Sequence, residues 1–87
     1  MNEIQILQTE IQKEFPDALV SMDASENPTG PWFLDIDRLN RPHIVVEWRL
    51  NQGFGISYKP YRVFGEGADE IRIHRYSALQ RIRELLE

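Results

Sequence analysis

The chain contains no cysteine, so neither a disulfide framework nor a thiolate metal site is open to it, and the lack fits a reducing compartment. Hydrophobic runs are short. None approaches the ~18 residues that a membrane helix needs, and the opening MNEIQILQTEIQKEF is too polar for a signal peptide. A cytoplasmic protein with no membrane association is the expectation. Positive charge is scarce too: the net charge is −4, and residues 1–37 set a series of carboxylates against Lys13 alone. Nucleic-acid binders gain affinity by neutralising phosphates, so direct nucleic-acid binding is disfavoured.

Glycine is also sparse, and four of the five glycines fall within GFGISYKPYRVFGEGADE, residues 53–70. A phosphate cradle needs glycines leading into a helix N-terminus, usually with a lysine. GFG and GEG lack that setting, and Glu66, Asp69 and Glu70 would repel phosphate. The alternating oxygen ligands of a calcium loop are missing. His74 has no companion His or Cys at zinc-ligand spacing, and no GxSxG nucleophile motif occurs. No cofactor, metal ligand or catalytic residue is assigned from these patterns.

What is present is a foldable chain of 87 residues, 41% hydrophobic, which sets the expectation of one domain over residues 1–87. Ile4, Leu7 and Ile11 share one helical stripe that Phe15 extends, Asn2 and Gln5 stand at capping-box spacing, and Pro16 stops the run. Three segments then alternate as strands do: Ala18, Val20 and Met22 inward; Trp32, Leu34 and Ile36 inward with Phe33, Asp35 and Asp37 outward; and Ile44, Val46, Trp48 and Leu50 inward with His43, Val45, Glu47 and Arg49 outward. A fourth strand holds Phe54, Ile56 and Tyr58. Keeping like faces together sets Leu50 opposite Phe54, Trp48 opposite Ile56 and Gly55 opposite Arg49, with residues 51–53 as the loop and Gly53 at a left-handed bulge. Gly55 either lets a neighbour lie across the strand or leaves room for a partner.

Residues 60–70 read as an irregular loop anchored by Tyr61 and Phe64, because Pro60 interrupts the ladder. IRI at 71–73 has the character of a short fifth strand. Ser77 and Gln80 have capping-box spacing at the start of a second helix, whose stripe is Leu79, Ile82, Leu85 and Leu86. Two amphipathic helices and a sheet with one apolar face predict an α+β two-layer sandwich: an antiparallel meander of four strands, or five with IRI, and the N- and C-terminal helices packed on one face.

Function is then expected on the other face. Phe33, Asp35, Glu47 and Arg49 lie there, and Phe33 with Tyr61 and Phe64 would make an exposed aromatic patch unless the loop folds back over Phe33. Gly65 and Gly67 let the chain reverse direction, so that Glu66, Asp69 and Glu70 present an acidic edge to a basic partner. Arg72, Arg75, Arg81 and Arg83 form a basic stretch with no carboxylate among residues 71–83. Pairing with the acidic half of the same molecule is favoured over an anion-binding surface. Asp35, His43 and Glu47 are the residues an acid–base site would use, as a small-ligand sensor or hydrolytic enzyme. A solvated sheet face normally carries such alternating charges, so the non-enzymatic reading is preferred.

At PWFLDI, HIVVEWR, GFGIS and GEGADE the chain resembles a group of small, poorly characterised bacterial domains, common in cyanobacteria, with a Trp-rich strand pair, a Gly-Phe-Gly strand and a Gly-Glu-Gly-x-Asp-Glu loop. The resemblance covers about residues 15–86. Members stand alone or are joined to helix-turn-helix segments, which implies an accessory regulatory role rather than catalysis, and no catalytic residue is carried over. The chain departs from the pattern at Ala68, where a proline often stands, and in its extra YKPYRV. The element order also resembles that of double-stranded RNA-binding domains, but the second helix offers only Arg81 and Arg83 on an acidic body. A protein-interaction module, docking another protein or a second copy of itself, is the functional expectation.

Overall fold

Asn2 opens the first helix, α1 (Glu3–Glu14), through both halves of a capping box: its side chain accepts from the Gln5 N–H at 3.0 Å, and its own N–H donates to Gln5 Oε1 at 2.8 Å. After α1 the chain runs through β1 (Leu19–Asp23), β2 (Trp32–Asp37), β3 (Ile44–Arg49), β4 (Gly53–Ser57) and β5 (Glu70–Arg72) to α2 (Arg75–Leu86). This computed structural model describes residues 1–59 and 67–87. The expected loop anchors Tyr61 and Phe64, and Glu66 and Gly65 of the acidic turn, lie outside the described residues.

The strands pair antiparallel in the order β1-β2-β3-β4-β5, so the α+β meander with terminal helices is observed, and IRI does supply a fifth strand, one residue early. Ile4, Leu7 and Ile11 of α1 and Ala78, Leu79, Ile82 and Leu86 of α2 join Leu34, Ile36, Ile44, Val46, Trp48, Phe54 and Ile56 in one core. That core lies between the helices and the inward sheet face, with no buried polar or charged residue among those described. Within the described residues no helix is long and apolar enough to cross a membrane.

Two local expectations are corrected. The β3–β4 hairpin pairs Trp48 with Phe54, Val46 with Ile56 and Arg49 with Gly53, two residues away from the expected register. A shift of two keeps every paired residue on its expected face. Only Leu50 changes, leaving the core for the turn, where it is 53% exposed. Asn51 is the cause: it adopts φ 66°, a left-handed conformation that asparagine tolerates, so the turn closes early with the Gln52 N–H donating to the Arg49 carbonyl at 3.0 Å. Gly53 keeps its expected positive φ, at 81°, but as a strand residue.

The second correction is the start of α2. It begins at Arg75, after His74 as an N-cap residue without a side-chain cap bond, so Ser77 lies inside the helix. Starting early brings Arg75 onto α1, 2.8 Å from Glu3 Oε2 and 3.0 Å from Glu10 Oε1. Those contacts replace the expected capping box.

Candidate functional site

Both helices bury their apolar stripes against one side of the sheet, and strand alternation places a second set of side chains on the other. One row of this outer face crosses all five strands: Asp23, Phe33, Glu47, Gly55 and Ile71 stand opposite one another in turn. A neighbouring row holds Ser21, Asp35, Val45 and Ser57. Leu19, Ile71 and Ile73 are 76%, 63% and 66% exposed. Phe33 stands on this face and is half-buried.

Gly55 stands opposite Glu47 rather than Arg49, a consequence of the shifted hairpin. A Cβ built there would lie 3.0 Å from the Ala68 Cβ. The open question at Gly55 is therefore answered by a neighbour: the segment at Ala68 lies against the strand. Beside it a shallow cleft of about 160 Å³ remains, lined by Glu47, Arg49, Gln52, Gly55, Ala68 and Ile71.

The acid–base trio is not assembled. His43 Nε2 lies 3.0 Å from Asp35 Oδ1, but its Nδ1 lies 3.3 Å from Asp37 Oδ1, and Glu47 instead takes Arg49 Nε at 3.4 Å. Asp35 stands directly opposite Val45, and Glu47 opposite Phe33, so the two carboxylates are diagonal neighbours. Ionised carboxylates only accept hydrogen bonds, so two of them beside one imidazole favour its doubly protonated, charged form. Burial works against that charge; the bonds to Asp37 and Asp35 outweigh it and raise the His43 pKa above its ordinary 6.5. Among the described residues, no group of three or more His, Asp or Glu is disposed to hold a metal ion.

Asp69 and Glu70 do not form an outward acidic edge, a second departure from expectation. Asp69 Oδ2 accepts the backbone N–H groups of Tyr58 at 2.8 Å and Lys59 at 3.0 Å, and its side chain is 9% exposed. Glu70 accepts the Tyr58 hydroxyl at 2.6 Å, Arg81 Nε at 2.7 Å and Arg72 at 2.6 Å. The Arg81 guanidinium lies 5.3 Å from the centre of the Tyr58 ring. Burial would raise the Glu70 pKa, yet the hydroxyl and the guanidinium bind its charged form and bring it below the ordinary range. Tyr58, Glu70 and Arg81 thus tie β4, β5 and α2 together. The two carboxylates lack outward reach because the strand they open needs partners.

Arg75 and Arg83 of the basic stretch are also engaged internally. Arg83 donates to Glu14 at 2.6 Å and Arg75 to Glu3 at 2.8 Å, so α2 is bridged to α1. Arg75 Nε and Glu10 Oε1 sit close without hydrogen-bond alignment. Arg38, which the sequence reading did not single out, reaches Asp17 at 2.9 Å and, with Arg41, the Leu86 carbonyl at the end of α2. Its guanidinium also lies 5.0 Å from the centre of the Phe15 ring. No family model matches this chain, and neither does any curated protein or any solved structure.

Proposed function

We propose that this chain is a non-enzymatic protein-interaction module that docks another protein through the outer face of its sheet, in an accessory regulatory role in the cytoplasm. The observation that carries the reading is the contrast between the two faces. One is closed by both helices around a fully apolar core; the other displays Leu19, Ile71 and Ile73, each more than half exposed. Ile71 and Ile73 stand together at the β5 edge and Leu19 at the opposite, β1 edge, with Asp35, Asp37, Glu47 and Arg49 on the strands between them; large apolar side chains left exposed on an uncovered face mark interaction surfaces. Asp23, Asp35, Asp37 and Glu47 outnumber Arg49 and His43 on this face, which suits a partner carrying both apolar and basic side chains.

Catalysis at Asp35, His43 and Glu47 has no comparable support, because Glu47 is paired away and His43 is held between two carboxylates. Affinity capture from the native host tests the interaction. Ile71→Asp combined with Ile73→Asp should lose the captured partner while Gln12→Glu, on exposed α1 surface, retains it and both variants melt normally. Equal capture by both variants would contradict docking at this face.

A further inference from the structure

An open sheet has two edges, and the two of this one are finished differently. β5 is three residues long, and the side chains it turns to the inner face are charged: Glu70 and Arg72 stand opposite Ile56 and Phe54 of the core. A very short strand and inward-pointing charges both keep an edge from pairing with another chain. β1 has neither. It runs five residues, Leu19–Asp23, pairs residue for residue with β2 without a bulge, and contains no proline, lysine or arginine. Among the described residues β1 pairs with β2 alone, so the backbone N–H and C=O groups along its other side meet no strand.

The side chains of β1 suit a strand laid against it. Val20 and Met22 face inward and are only partly buried at the rim of the core, while Leu19 and Ser21 are exposed on the outer side. A strand added antiparallel would satisfy the free backbone groups, and its own inward residues would cover Val20 and Met22. The sequence of β1 meets that requirement itself. When two copies of LVSMD are set antiparallel about Ser21, Val20 of each stands opposite Met22 of the other, Ser21 opposite Ser21, and Leu19 opposite Asp23. Asp23, the one charged residue of the strand, never meets its like. Two equal contacts related by a two-fold axis make a closed interface. We infer that β1 is a self-association edge, pairing antiparallel with β1 of a second copy of this chain so that the two sheets become one. The contact runs along the backbone of one edge rather than over the outer face, so it stands or falls independently of the docking reading.

Sedimentation equilibrium of the purified chain should show monomers giving way to dimers, and to nothing larger, as concentration rises. Ser21→Lys sets two like charges directly opposite each other and should raise the dimer dissociation constant at least about tenfold. Gln52→Lys, on the exposed turn between β3 and β4, should leave it unchanged. Because the chain has no cysteine, single-thiol variants read the register. Facing Cα atoms of an antiparallel pair lie about 4.5–5.5 Å apart, within disulfide reach, whereas positions 23 of the two copies would be offset by about 14 Å. Under mild oxidation Ser21→Cys should therefore give a covalent dimer and Asp23→Cys should not. A chain that stays monomeric at every concentration, a Ser21→Lys variant that dimerises as the parent does, or equal crosslinking at both positions would overturn the pairing.

Discussion

At the scale of single residues, backbone conformation decides more than charge. Gly53 combines φ 81° with a position where a Cβ would lie 2.8 Å from the Arg72 carbonyl oxygen. Gly53→Ala is therefore expected to cost about 1–3 kcal/mol, from strain and contact together, measurable by urea unfolding; an unchanged midpoint would remove the hairpin register described above. Glycine at this position was legible in the sequence as a positive-φ site. The register around it was not, because Asn51 and Gly53 are both able to turn the chain and only the whole hairpin selects between them. His43 gives a second expectation. Its folded pKa is raised above 6.5, so its pairing contributes stability in full below about pH 6.5 and loses it as pH rises through the folded value. Asp35→Asn and Asp37→Asn should each lower the His43 titration midpoint seen by NMR.

Between elements, the stripes that build the core were legible and the polar ties were not. Ile4, Leu7 and Ile11, and the alternation in β2 and β3, announce themselves through spacing of three, four or two. By contrast, Arg38 and Arg41 meet the Leu86 carbonyl across more than half of the chain, and no local pattern reports such a contact. Glu70 was visible as an acidic residue, but its inward orientation depends on Tyr58 and Arg81, which only the assembled β4, β5 and α2 bring to it. The depressed Glu70 pKa means that this tie stabilises the fold above about pH 4.5 and is lost as pH falls through the lower folded value. Glu70→Gln is expected to cost about 1–2 kcal/mol at neutral pH, and to flatten the acid side of a stability-against-pH curve. The α1–α2 bridge is weaker: Arg83→Ala should cost well under ~1 kcal/mol, as exposed pairs do, and thermal melts of the two variants compare them directly.

On the scale of the whole molecule, the asymmetry of the sheet is the feature from which function is read. Two helices of twelve residues each close one face, and the same alternation that fills the core pushes Leu19, Phe33, Ile71 and their charged neighbours to the other. The sequence made that outward set visible, since Asp35, Asp37, Glu47 and Arg49 alternate with core residues. Position alone, however, did not separate the carboxylates that clamp His43 from the one that pairs with Arg49. Photo-crosslinking in living cells tests the outer face most directly. With a photoreactive amino acid at position 71, and separately at position 12 on α1, the expected result is a discrete protein adduct from position 71 and none from position 12. Adducts of equal yield from both positions, or none from position 71, would contradict docking through the outer face.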